Sequence, residues 1–267
     1  MDNRYSQRRW PLLLSPLLLF SMVQSSYAES TNLAESANLA KAASKSEPPP
    51  YLRAFDATYK IGRGSFDLGK ASRKLYQQPD GQFVYRSITD ASYLFLKDYR
   101  EEYCLFTANS ENQLAFDEYK ITIDGFRKDA AWGRQFDYDN KLLLPTGDAE
   151  KKLPLSNNST TPLCQSLLLK KSLHDKTLAA GNAVTFNVAK ESKLRQYVFK
   201  YVKDETIVVN EVSYATHHVT ISRKDRESHI WFAYDHQLIP VKMVQYRDGD
   251  ENYHLEIDAI SYPKATK

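Results

Sequence analysis

The sequence predicts a mainly β domain, an antiparallel sheet of about ten or eleven strands with one short helix inserted. Three observations predict it. In the last stretch Tyr253, Leu255, Ile257 and Ala259 share one face, and His254, Glu256 and Asp258 share the other. That period of two marks a half-buried strand. Turn chemistry punctuates the chain, most clearly at Asp248-Gly249, where a hairpin turn needs positive φ at both centres. Finally, 12% of the residues are aromatic, including 18 Tyr and 12 Phe, a load that suits pleated, half-buried surfaces.

The chain begins with an expected export signal over residues 1–28. Arg4, Arg8 and Arg9 form a positive start. The Leu-rich run from Pro11 to Val23 is shorter than a stable membrane span requires. Ser26-Tyr-Ala28 places small residues where a signal peptidase reads, so cleavage near Ala28 and a periplasmic location are expected. Residues 29–50 read as a linker. They are dominated by Ala, Ser, Asn and Lys, carry too little apolar surface to offset chain entropy, and close on Pro48-Pro-Pro50. A single β-rich domain is then expected over residues 51–263.

Within it, Arg53 to Gly62 starts the sheet, with Phe55, Ala57, Tyr59 and Ile61 on one face. Phe66 to Tyr76 follows, with Gly69 as a bend. Pro79-Asp-Gly81 turns the chain into Phe83 to Thr89. Tyr93 to Thr107 holds strands on both sides of Asp98. There Tyr99, Glu101, Tyr103 and Leu105 alternate with Arg100, Glu102, Cys104 and Phe106. Leu114 to Ile123, Lys128 to Tyr138 and Lys141 to Leu144 continue the pattern.

The pattern changes over the polar stretch Pro145 to Pro162. Thr161 before Pro162 reads as a helix cap with proline in the first turn. Leu163, Leu167, Leu168, Leu169 and Leu173 make one amphipathic helix, with Lys170 and Lys171 at its polar end. Gly181 ends that region. Strands resume at Ala183 to Ala189, Leu194 to Val202 and Ile207 to Tyr214. They pass into a four-strand meander over Val219 to Arg223, His229 to Tyr234, Leu238 to Val244 and Tyr253 to Ala259. Pro240 cannot donate to a ladder and belongs near a strand start, an edge or a bulge.

The composition excludes several functions. A net charge of +3 with no basic stripe argues against nucleic acid. No G-x-S-x-G elbow, H-E-x-x-H helix or phosphate-cradling glycine loop occurs, so no catalytic residue and no cofactor are expected. His217 and His218 are adjacent on a strand and point to opposite faces, and no His or Cys has zinc-motif spacing, so no metal ligand is expected. Adjacent carboxylates at Glu101-Glu102 and Asp117-Glu118 diverge in the same way. Cys104 and Cys164 are the two cysteines. An even count in an exported chain favours a disulfide, with two buried thiols as the alternative.

The run Val219-Thr-Ile-Ser-Arg, then Ile230-Trp-Phe-Ala-Tyr-Asp, then Leu238-Ile-Pro-Val-Lys-Met-Val-Gln, then Gly249 and Leu255, resembles the C-terminal signature of exported bacterial proteins grouped as domain of unknown function 3108. Phe55-Asp-Ala-Thr-Tyr, Glu101-Glu-Tyr-Cys-Leu-Phe and Phe136-Asp-Tyr-Asp extend the likeness upstream. The resemblance implies an architecture similar to the periplasmic lipoprotein carriers, a curved antiparallel meander forming an incomplete barrel with helical cover. It implies no activity.

These readings lead to a non-enzymatic binding or chaperone-like protein whose concave sheet takes a lipid, acyl chain or other hydrophobic segment, peripheral to a membrane at most. If one short helix does not fill the concavity, Leu163, Leu167, Trp231, Ala233, Ile239 and Val241 are candidates to line what remains. The alternatives are an envelope module that binds another protein, and an enzyme whose site lies outside these motifs.

Overall fold

A computed structural model describes residues 48–263, apart from 94–95, 126–128 and 224. The expected export signal and nearly all of the expected linker lie outside the described residues. Strands β1 (Phe55–Arg63), β2 (Phe66–Gln77), β3 (Phe83–Tyr93), β4 (Leu96–Ala108), β5 (Leu114–Gly125), β6 (Ala130–Asp137), β7 (Leu142–Gly147) and β8 (Leu153–Pro154) come first. Then follow β9 (Ser159–Thr160) and the helix α1 (Cys164–His174). The chain ends with β10 (Ala183–Ala189), β11 (Leu194–Val209), β12 (Val212–Arg223), β13 (Arg226–Ala233), β14 (Ile239–Arg247) and β15 (Asp250–Ser261).

All 15 strands belong to one sheet, in the order 8-7-6-5-4-3-2-1-15-14-13-12-11-10-9. The sheet curls into a nearly closed barrel with one seam. β1 and β15 pair at its centre, and its two outermost strands, β8 and β9, are neighbours in sequence. Every pairing is antiparallel except β9 with β10. Hairpin turns therefore alternate between the two ends of the barrel. The β1–β2 and β14–β15 turns lie at one end, and the β2–β3 and β4–β5 turns lie at the other, with the segment Pro50–Leu52 that packs on α1.

The strand count exceeds the ten or eleven expected, for local reasons. β8 and β9 are two-residue pairings inside the polar stretch, too short for a periodic signal. The expected strand Ile207 to Tyr214 is divided, its start closing the 16-residue β11 and its end opening β12. The turn between β11 and β12 is Asn210-Glu211, at φ 48° and 66°. Both centres are left-handed with no glycine, so the turn carries no Asp-Gly or Asn-Gly mark. At Asp248-Gly249 that mark is present, and φ is 52° and 89°. Pro240 sits beside the register shift at Trp231/Phe232. Gly69, at φ 138°, lets the Asp90 carbonyl approach to 2.2 Å of where a Cβ would stand.

The helix differs from expectation at both ends. Thr161 does not cap it with its side chain; Leu163 holds the cap position and no side-chain cap bond is made. β9 delivers Thr161 fully buried, and only its carbonyl serves the helix, accepting from the Gln165 amide at 3.0 Å. Lys170 is not on a solvated end. It is 1% exposed, because the Tyr51–Phe55 segment covers the helix face that the sheet leaves free. Lys171 does reach water and pairs with Asp175.

Candidate functional site

Directly paired residues share a face, so the register sorts the barrel interior into rows. The row nearest α1 is bulky: Phe55, Leu75, Tyr85, Cys104, Tyr119 and Arg134. Cys104 in this row is bonded to Cys164 at the start of α1, with a Cα–Cα distance of 5.6 Å. The disulfide thus fixes the helix over the bulky row. The next row runs Ala57, Arg73, Ser87, Glu102, and the one beyond runs Tyr59, Ala71, Thr89, Arg100. These rows combine small side chains with charged ones. They cannot fill the barrel as the first row does.

The result is a cavity of about 500 Å³ between α1 and the sheet, within the size range of small-molecule sites. Its apolar wall includes Ile61, Leu163, Leu169, Ile230, Phe232 and Leu255. Its polar wall includes Tyr59, Arg73, Arg100, Glu102, Gln165 and Tyr253. Leu68 and Asn252 also face a second concavity around Arg63, Gly64 and Phe66, at the end of the barrel away from α1. The two spaces meet there, and Phe66 beside the junction is 67% exposed.

The charged groups inside are unequally partnered. Arg100 grips Asp98 through two bonds of 3.0 and 2.8 Å. Glu102 accepts a 2.6 Å bond from the Tyr119 hydroxyl, whose pKa is raised by burial and by that carboxylate. Arg73 is surrounded by protein yet keeps accessible surface, as a group on a cavity wall does. Burial pulls its pKa down, and Tyr85, Tyr59 and Glu102 more than restore it. It lies 5.7 Å from the centre of the Tyr59 ring, and the Tyr85 hydroxyl is near enough to help hold its charge. Lys170 lies behind this wall, and burial, then the charge of Arg73, pulls its pKa down to about 7.

Of the residues expected to line a pocket, Leu163 does so. Leu167 is fully buried beside it and off the cavity wall. Trp231 stands between the inward Ile230 and Phe232 and so faces outward. It stacks on His218 at 4.5 Å, and its indole donates to Glu205 at 2.9 Å. Ala233 and Ile239 are a buried cross-strand pair, and Val241 is buried near them; none of the three lines the cavity. The signal missed in the sequence was the inward set Arg100, Glu102, Cys104: two charges in phase with a buried cysteine.

His217 and His218 diverge as strand neighbours do. His217 approaches Asp204 at 2.5 Å, and His218 approaches His229 at 2.9 Å on the outer face. Among the described residues no group of three or more His, Cys, Asp or Glu is placed to hold a metal ion. Glu101 faces out to Arg86 at 2.6 Å, away from Glu102.

No curated protein matches this chain. Among solved structures, the chain is similar to a β-barrel-like protein of domain of unknown function DUF1849 from Brucella abortus. The TM-score is 0.52 at 11% identity, over 80% of this chain and 99% of that one. That likeness concerns the fold alone. A profile described as "Protein of unknown function (DUF3108)" matches residues 112–256. The matched stretch starts after β4, so Arg73 and Cys104 lie outside it. It spans more than half of the sequence, and the chain belongs to the DUF3108 family.

Proposed function

We propose that this protein is a non-enzymatic carrier that shelters an apolar chain inside its barrel. The observation that carries the reading is the cavity of about 500 Å³ between α1 and the small-residue rows of β1 to β3. A wall of Ile61, Leu163, Leu169, Ile230 and Phe232 offers an alkyl chain a dry surface, and the junction at Leu68 and Asn252 offers it a way in. The export signal expected over residues 1–28 would deliver such a carrier to the periplasm, where insoluble acyl chains need escort between membranes.

The test is displacement of the neutral fluorophore N-phenylnaphthylamine from the full chain by single-chain amphiphiles. Native mass spectrometry of protein purified from its own cells accompanies it. Ala91 also lines the cavity, and binding that is lost in Ala91→Trp, which fills it, supports the reading. No binding by the wild type and an empty lipid extract would reject it.

A second reading, an interaction module, is favoured by the tip of the β11–β12 hairpin. There Val208 and Val212 are 64% and 49% exposed. A protein that co-purifies in stoichiometric amount and is lost in Val208→Lys would support it.

A further inference from the structure

We infer that the occupant of this cavity carries an anionic oxygen head, a carboxylate or a phosphate, which docks on Arg73 and Tyr59 with its chain directed toward Leu68. The inference rests on the carrier reading above and names the ligand that the site would select.

Four buried polar atoms around this part of the interior have no hydrogen-bond partner: the hydroxyls of Tyr59 and Tyr85, Oε1 of Gln165, and Nζ of Lys170. Buried polar groups in folded proteins are nearly always paired, and an orphan is costly to leave unpaired. Three of the four are donors that an anionic oxygen can serve; the fourth, Oε1 of Gln165, is an acceptor and gains nothing from an anion. Tyr59 is 3% exposed, and it lines the cavity together with Arg73 and Gln165. Three of the five groups therefore face the space itself.

The sign of the partner follows from the charges. On the wall itself Arg73 and Tyr59 can both donate to an oxygen, and Arg73 is cationic; Tyr85 and Lys170 lie behind them. Asp98 is already held by Arg100 in a two-bond fork, and Glu102 is already bonded by Tyr119. Arg73 is left without a bonded carboxylate among the described residues, with Glu102 in electrostatic reach only. A guanidinium in a low-dielectric space is the preferred partner of carboxylate and phosphate, because its N–H groups match their oxygens two at a time.

The orientation follows from the rows. Ala57, Arg73 and Ser87 form the row next to the bulky one under α1, so the head lies deep. Toward the far end Ile61, Leu255 and Leu68 make one side of the wall apolar, while Asn252 and the Arg100–Asp98 pair stand on the other. An amphiphile enters head first and leaves its chain end near Phe66.

The test compares dodecanoate, dodecyl phosphate and dodecanol as competitors of N-phenylnaphthylamine on the full chain. A charge-assisted pair should make one or both anions roughly 10- to 100-fold better competitors than the alcohol. Arg73→Gln should bring anion and alcohol close to equal while the fluorophore still binds. Tyr59→Phe removes one hydroxyl without changing the packing and should narrow the preference if Arg73→Gln does not fold. Which anion competes better separates a fatty acid from a phosphorylated amphiphile. Equal competition by all three in the wild type overturns the anionic head and leaves the carrier standing. A preference that survives both variants overturns the assignment to Arg73 and Tyr59. If neither fluorophore nor competitor binds, the carrier itself falls, and this inference falls with it.

Discussion

The Nζ of Lys170 lies 4.9 Å from the centre of the Phe55 ring and has no hydrogen-bond partner. The ring face offers a cation some attraction, of the order of 2 kcal/mol when water is excluded. That is less than full desolvation of an ammonium takes away. The balance is visible in its pKa, which burial and then Arg73 draw from 10.5 down to about 7.

This gives Lys170→Met a pH signature. Below about pH 7 the lysine is protonated both folded and unfolded, and the cost of burying its charge is fully present. Between about 7 and 10.5 the unfolded chain holds a proton that the folded one lacks, so wild-type stability rises with pH. The methionine variant should therefore be more stable than wild type below pH 7, by a few kcal/mol at most. Its advantage should shrink as pH climbs toward 10.5. Urea denaturation at about pH 6 and about pH 9 measures it; an equal difference at both would refute the assignment.

The disulfide should resist alkylation in unfolded, unreduced protein. Cys104 and Cys164 close a loop over a sequence separation of 60, worth roughly 4 kcal/mol in the chain-entropy model. Reduction should lower the unfolding midpoint by a corresponding amount. It should also loosen α1, seen as faster amide exchange over residues 164–174. Free labelling of both thiols before reduction would contradict the bridge.

Arg134 should prove costly to replace. It is 0% exposed, and its two terminal nitrogens donate to the carbonyls of Lys151 at 2.5 Å, Glu191 at 2.6 Å and Lys190 at 3.1 Å. Lys151 follows β7, and the other two follow β10, so one guanidinium ties the two sides of the seam. Arg134→Met removes three charge-assisted bonds and strands three carbonyls, each worth about 1–3 kcal/mol. Loss of several kcal/mol is expected, with amide exchange quickening first at residues 151–160 and 189–193. A change below about 1 kcal/mol would show that the seam holds without it.

Leu167→Ala tests the packing of the helix. Leu167 is 0% exposed between the sheet and the rest of α1, and truncation should cost about 2–5 kcal/mol. Dodecanoate affinity should change little, because this leucine is off the cavity wall. A selective loss of binding at unchanged stability would place it on the wall after all.

What was legible in the sequence was set by short-range rules. The alternation from Tyr253 to Ile257 and the Asp248-Gly249 turn marked β15 and its hairpin, because each depends on neighbours in the chain. Ala259, expected on the same face, is exposed, because the register shift at Thr58/Tyr59 brings Ile260 opposite Ala57 instead. The turn at Asn210-Glu211 escaped, since its left-handed backbone is imposed by the flanking ladder and not by a glycine. Leu163 was found by its helical spacing. Arg73 and Tyr59 were not found, because each looks ordinary on its own strand. Only the register that sets Arg73 beside Ala57 and Ser87 opens the space they face. Lys170 was misplaced for a related reason: a lysine late in a helix normally seeks water, and what denies it water is a segment more than a hundred residues earlier.

The pairing of β1 with β15 also has a bearing on how the chain is made. Asp56 meets Ser261, so the first strand to leave the ribosome waits for the last to find its second neighbour. Until then β1 offers an open row of amides and carbonyls to any passing strand, and the half-sheet from β1 to β8 has no partner for that edge. Long-range closure of this kind is slow and leaves the nascent chain exposed to aggregation. This barrel is finished at its centre, not at its seam, and a newly made chain needs protection until about its final dozen residues arrive.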